Sequence, residues 1–344
     1  MNQAPTGTLP ATTREGWTAF VARQPSALQL LPEQDWLALD EQGKAAYDRA
    51  RFEHHAELVI VATPTVRTVA HTARRLLLLN HAQTGARRGM IVTGSSGTGK
   101  STAVMHMGRA HERRARRRAF DPGTFCPVVY ISVPPAATPK MLAAEFARFV
   151  GLPIPAAYNQ AAITNAVCDI LCRLRVEIVI IDELQNMNLA TRDGAETSDQ
   201  LKYLSERIPA TFACAGFDLE ERGLFSGSRG RQIAGRFATI EATAFGYATA
   251  GQRSDWHSLI ATLDTALRLH RHTPGALVNH AAYLHQRTGG MIGSLSHLIR
   301  ESAIDAILDG TEQITKPGMD RVTLDHAAEH TLAQPRRTKR RATR

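Results

Sequence analysis

Gly89-Met90-Ile91-Val92-Thr93-Gly94-Ser95-Ser96-Gly97-Thr98-Gly99-Lys100-Ser101-Thr102 is the stretch on which the reading of this chain turns. Gly94 to Ser101 fits G-x-x-x-x-G-K-[ST] at every fixed position, with a short apolar run before it and a helical pattern after it. The spacing has a physical purpose. Glycines let the backbone curl until successive N–H groups point inward around phosphate oxygens. A helix beginning near Gly99 turns its unpaired amides and the positive end of its dipole on the same anion. Lys100 is placed to reach the β- and γ-phosphates, and the Ser101 hydroxyl to ligate Mg2+. The expected nucleotide contacts are Gly94, Ser95, Ser96, Gly97, Thr98, Gly99, Lys100, Ser101 and Thr102, with ATP and Mg2+ as the ligands.

A second segment completes the chemistry. Ile178-Val179-Ile180-Ile181 builds a buried strand, and Asp182-Glu183 emerges at its C-terminal end, where ligands bind in open α/β sheets. Asp182 is expected in the magnesium shell. Glu183 is expected to take a proton from the water that attacks the γ-phosphate. Between and around these segments run further continuous apolar stretches at 127–133, 211–216 and 238–243, separated by helical patterns. Continuous rather than alternating apolar runs mark parallel strands covered on both faces. The expectation is a doubly wound P-loop α/β sheet over 58–245; in an ATPase of this type the 211–216 strand would lie between the phosphate-loop strand and the Asp-Glu strand. Its tip offers only Cys214, Ala215 and Gly216, so no polar residue there orients the attacking water. After Phe245 the strands stop, and 246–315 reads as a small all-α domain. Residues 1–57 read as an extension, irregular to about 31 and helical from Pro32, and 316–344 as a C-terminal segment whose basic end is expected to be disordered.

Composition sets the outer limits. A chain of 344 residues with 43% hydrophobic and 21% charged residues holds two compact units and is not wholly disordered. Four cysteines without a CxxC pair exclude a disulfide scaffold or a zinc knuckle. The N-terminus lacks the apolar stretch of a secretory signal, and no apolar run is long enough to span a membrane, so a cytoplasmic protein with no membrane partner is expected. The net charge of +9 is local. Six positive charges and no acid fall in the last ten residues, and six arginines against one glutamate in Arg109–Arg118, leaving the rest near neutral. Cations near a helix C-terminus stabilise that end, which accounts for the Arg113–Arg118 run without a ligand. The tail could hold DNA or dock a partner.

The whole pattern resembles the AAA+ ATPases, and within them transposition regulators of the TniB/TnsC type. The segments that carry the resemblance are HHAELVIVATPTV (54–66), TGSSGTGKST (93–102), VIIDELQNM (179–187), IPATFACAGFD (208–218), QIAGRF (232–237) and GGMIGSLSHLIRESAIDAI (289–307). The resemblance implies ATP-Mg on Lys100, Ser101 and Asp182, with Glu183 as the base. Arg236, just before the fifth strand, would project into a neighbouring subunit's site, with Arg222, Arg229 and Arg231 as competitors for that role. It also implies a homo-oligomer, ring or filament, assembled by ATP on double-stranded DNA to recruit a transposase, with a target-selection protein as a further partner. Thr138 and Lys140, in the loop after the second strand, are the implied DNA contacts. One departure is the GG-x-x-G segment, where Met291-Ile292-Gly293 supplies no arginine.

Two other classes fit parts of the sequence. A signalling or defence ATPase that recruits a protein without DNA would bring a sensor or effector domain, for which 33–315 leaves no room. A small-molecule kinase would use the same loop but needs an acceptor pocket and an arginine-rich closing lid, whereas Asp182-Glu183 favours a hydrolysing ATPase.

Overall fold

A computed structural model describes residues 9–24, 28–57, 59–118, 125–187, 192–217, 219 and 235–324. Arg222, Arg229, Arg231 and the basic tail lie outside the described residues. The chain forms two compact units, one of Met1–Arg23 with Ala62–Thr243 and one of Gln24–Val61 with Ala244–Arg344.

The first unit is built on five parallel strands, β1 (Gly89–Thr93), β2 (Val128–Ser132), β3 (Ile178–Asp182), β4 (Thr211–Ala215) and β5 (Phe237–Glu241). Their order is β2-β3-β4-β1-β5, so β4 lies between β1 and β3 as the sequence indicates. Every residue of β1, β3 and β4 is buried, the signature of strands covered on both faces, whereas edge strand β5 exposes most of its length. The connecting helices are α4 (Pro64–His81), α5 (Lys100–Arg116), α6 (Pro139–Phe149), α7 (Gln160–Arg173) and α8 (Arg192–Arg207). Thr63, Thr138 and Asn159 cap α4, α6 and α7 by accepting from backbone amides of the first turn.

The N-terminal stretch corrects the sequence reading in two ways. Residues 14–22, expected to be irregular, form α1 (Arg14–Ala22), started by the Thr13 hydroxyl accepting from Gly16 N at 3.1 Å. The helix is held by one side chain. Trp17 is 1% exposed, its ring stacks on Tyr130 at 5.6 Å between centroids, and its Nε1 donates to Glu112 at 2.5 Å. Gly108 on α5 makes the room, since a Cβ there would lie 3.1 Å from the Trp17 ring and 2.5 Å from Ile180 Cδ1. Residues 24–57, expected as part of the same extension, and 58–61, expected at the start of the sheet domain, belong to the second unit instead. Their helical stretch is two pieces, α2 (Glu33–Leu37) and α3 (Glu41–Ala56), because the Asp40 carboxylate accepts from Gly43 N at 2.7 Å and starts a new helix there.

The second unit adds α9 (Ala250–Thr265), α10 (Ala276–Asn279), α11 (Ala281–Thr288), α12 (Ile292–Leu308) and α13 (Lys316–Arg321) around a core that includes Trp256, Leu284 and Leu298. Fully buried Arg51 on α3 makes a bidentate pair with Glu312 at 2.6 and 2.9 Å and bonds Asp48 at 2.5 Å. That buried ion cluster links residues 261 apart in sequence, and together with Phe52, Val59 and Val61 packed on the second unit's core it ties this stretch to the C-terminal helices. Among the described residues, no helix is long and apolar enough to cross a membrane.

Candidate active site

Gly94, Gly97 and Gly99 all have positive φ, at 136°, 76° and 86°, and with them the chain leaves β1 and turns back into α5. Glycine at 94 is also forced by packing, because a Cβ would sit 2.1 Å from the Ala242 carbonyl beyond β5. Gly99 is the left-handed residue ahead of α5, so the amides of the first turn face the loop without a side-chain cap. Lys100 is largely buried and its Nζ donates to the Ser95 carbonyl at 2.6 Å, while the Thr98 hydroxyl donates to the same carbonyl at 2.8 Å. Ser95, Ser96 and Gly97 are exposed, and Ser101 and Thr102 are half-buried at the head of α5.

The Asp-Glu pair stands two strands away on the same edge of the sheet. Asp182 is 4% exposed and well satisfied, accepting from the Tyr130 hydroxyl at 2.9 Å and from Glu183 N at 2.9 Å. Burial, and then the charge of Asp182, push the Tyr130 phenol well above its usual range, so it stays a donor. Glu183 has φ 58°, a left-handed conformation unusual for a residue with a side chain, and its carboxylate is exposed at the strand tip. The short turn Leu184–Asn186 follows, tied back by Asn186 Nδ2 donating to the Val133 carbonyl at 2.8 Å.

Tyr130 and Gln185 are the residues that the sequence did not single out. Buried Gln185 donates its amide to the Glu183 carboxylate and accepts from Phe217 N at 3.1 Å through its oxygen. The neighbouring turn thus places a buried polar side chain beside the tip of β4. Gly216 allows it, as a Cβ there would lie 2.8 Å from the Gln185 oxygen. Cys214 is buried within β4, and burial pushes its thiol up to about 12, so it stays protonated.

A family model for the bacterial TniB protein matches residues 56–247, more than half of the chain. This chain belongs to the TniB family. With its P-loop sheet it is an AAA+ ATPase, which hydrolyses ATP to ADP and phosphate. No match is found among curated proteins. Solved structures resemble the TniB-family chain in fold. The Aeropyrum pernix ORC2 protein, in ADPNP-ADP complexes, is 17% identical with a TM-score of 0.58 over 81% of this chain and 71% of its own. The ORC1 protein of the same organism, in complex with DNA, is 17% identical with a TM-score of 0.56 over 81% and 67%. Drosophila ORC bound to DNA is 14% identical with a TM-score of 0.54 over 89% and 72%.

The remaining residues that the TniB resemblance singled out lie apart from this cluster. Arg236 immediately precedes β5, and its backbone carbonyl accepts from Gly89 N, at the N-terminal edge of the sheet. The phosphate loop follows β1 at the other edge, about 16 Å away for five residues of strand. The Arg236 guanidinium pairs with Glu206 at 2.8 Å. Thr138 and Lys140 stand at the head of α6, on the nucleotide edge. The Thr138 hydroxyl is engaged as a cap, accepting from Met141 N at 3.3 Å, and Lys140 is exposed. In the second unit Met291 precedes α12 and places no cation there.

Proposed function

We propose that this TniB-family ATPase is a regulator of DNA transposition that binds Mg2+-ATP, assembles with further copies of itself on double-stranded DNA, and recruits a transposase. Family membership supports the transposition setting. The observation that carries the mechanism is the division of the first unit. The phosphate loop and Asp182-Glu183 share one edge of the sheet, while Arg236 sits on the other. An arginine so placed can serve a γ-phosphate only in a second copy, which makes hydrolysis depend on assembly.

The donor set suits the ligand. Three positive-φ glycines leave the loop backbone free to cradle phosphates, the head of α5 supplies amides, and Lys100 supplies a cation. Ser101 and Asp182 would hold Mg2+, whose charge offsets that of the phosphate oxygens. Lys100 exchanges the Ser95 carbonyl for phosphate oxygens. Tyr130 fixes the orientation of Asp182 through its hydroxyl. Glu183 is the general base, and Gln185 holds its carboxylate while leaving it open to water. Thr138 and Lys140, at the head of α6, contact the DNA. Lys140 carries the charge and Thr138 positions it.

The test is duplex binding with and without a non-hydrolysable ATP analogue, read together with sedimentation. Affinity that rises with analogue and accompanies assembly supports the proposal. Binding indifferent to nucleotide favours a switch that acts on a protein partner alone.

A further inference from the structure

The N-terminal edge of the sheet, opposite the phosphate loop, carries a cleft of about 1010 Å³ at the starts of β3 and β4. Arg74 of α4, Arg114 in the last turn of α5, Arg118 just beyond it, Arg173 at the end of α7 and Arg175 ahead of β3 converge on it. All five are exposed, and none of the five guanidiniums has a hydrogen-bond or ion-pair partner among the described residues. The one carboxylate among the described lining residues, Glu177, is engaged by His111 Nε2 at 2.6 Å. Like charges gathered in one concavity focus a positive potential that only an anionic ligand relieves.

The helix-end explanation of the arginine run covers only part of it. Arg113 donates to the Val21 and Arg23 carbonyls at the end of α1, both at 2.8 Å, and Arg116 pairs with Glu112 at 2.7 Å. Those residues are structural. Arg114 and Arg118 point instead to the cleft, where they meet arginines from two other segments of the chain. Arg173 also ends a helix, but a helix terminus accounts neither for Arg74, in the middle of α4, nor for Arg175, ahead of β3. The residue type is also specific, because the planar guanidinium fork matches phosphate oxygens two at a time, whereas a solvated face is served equally by lysine.

We propose that this cleft is a second DNA-contacting site, which takes the phosphodiester backbone of a duplex. The proposal rests on the DNA-binding reading above and assigns its main electrostatic contacts to Arg74, Arg114, Arg118, Arg173 and Arg175 rather than to Lys140.

The experiment measures affinity for a labelled duplex, with a non-hydrolysable ATP analogue and Mg2+, across about 0.05–0.3 M NaCl. It compares the wild-type chain, the triple variant Arg74→Gln/Arg114→Gln/Arg173→Gln, the matching triple lysine variant and Lys140→Ala. Each lost phosphate contact lowers the slope of log affinity against log salt by about 0.9, so the glutamine triple loses two to three units of slope. At about 0.1 M salt that corresponds to a fall of 100- to 1000-fold. The lysine triple keeps the slope, and Lys140→Ala changes it by about one unit at most. Melting temperature and basal ATP hydrolysis stay unchanged in the glutamine triple, since the three side chains are exposed and make no described contact. A glutamine triple with wild-type slope overturns the proposal and leaves DNA binding standing. Failure of the wild-type chain to bind duplex overturns both. Loss of assembly with the slope intact also overturns it, and assigns the arginines to contacts between protomers.

Discussion

The two edges of the parallel sheet are built in opposite ways. At the C-terminal edge the functional groups come from two unbroken pieces of sequence, Gly94–Ser101 and Asp182-Glu183, each positioned by the strand it follows. At the N-terminal edge the arginines come from α4, α5 and the α7–β3 turn, with about a hundred residues between Arg74 and Arg173. At the first edge buried Lys100 and Asp182 are each hydrogen-bonded beside exposed Ser95, Ser96 and Glu183, whereas the five cleft arginines of the second are exposed and have no partner among the described residues. An edge whose groups are already satisfied by each other suits a site that must place atoms accurately. An edge of unneutralised charge suits a partner that brings many charges and no fixed register.

Substitutions can break this contrast or sharpen it. The largest effect is expected from Lys100→Ala, which removes the only cation of the loop itself and should reduce ATP binding, followed by titration of a fluorescent analogue, to an undetectable level. Affinity near wild type would remove the phosphate loop from the account. Glu183→Gln comes next. It keeps size and the Mg2+ shell but loses the base, so ATP still binds while the turnover number falls about 10²- to 10⁴-fold. Unchanged turnover in a phosphate-release assay would assign water activation elsewhere.

Tyr130→Phe is smaller and more discriminating. It removes one hydroxyl that donates to Asp182 and leaves the Trp17 stack in place. About a tenfold rise in the Mg2+ concentration for half-maximal hydrolysis is expected, with little change in melting temperature. A drop in melting temperature without a shift in Mg2+ dependence would make Tyr130 a packing residue. The smallest effect is common to both units. Burial, aided by Arg109 and Arg113, lowers His106 to about 4, and burial, aided by His54, lowers His55 to about 4. Both are neutral when folded and take up protons near 6.5 when unfolded, so their contribution is complete above about pH 6.5 and is lost as pH falls towards 4. Melting scans at pH 7.5 and 5 should therefore show both units less stable in acid, with His106→Gln and His55→Gln reducing the difference.

The contrast between the edges also explains what the sequence could disclose. The loop, the Asp-Glu strand and the five strands were legible because each is local, a spacing or an apolar run that chain continuity turns directly into structure. The place of β4 between its neighbours is not local in this sense, and was expected only because ATPases of this type order their strands that way. Trp17 is not legible, since the apolar face of a nine-residue helix is only Trp17, Phe20 and Val21, too short a pattern to stand out until Tyr130, Gly108 and Glu112 are around it. Gln185 is not legible because it lies on the turn after β3, and only the fold brings its amide to Phe217 N at the tip of β4. Residues 24–57 read as an extension because Arg51 and Glu312, which help tie them to the second unit, are 261 positions apart. The arginine run at 109–118 was visible as charge, but which of its members are tied to neighbours depends on α1 and on Glu112.

The central claim is that the C-terminal edge grips a triphosphate through loop amides and Lys100, with Asp182 and Glu183 facing its end. An experimental structure with Mg2+ and a non-hydrolysable ATP analogue tests it most directly. The account predicts phosphate oxygens within hydrogen-bond reach of the amides from Gly97 to Ser101 and of Lys100 Nζ, with the Lys100–Ser95 contact exchanged and the metal between Ser101 and Asp182. Nucleotide bound away from this loop, or a loop that keeps Lys100 on Ser95 at saturating analogue, would contradict it.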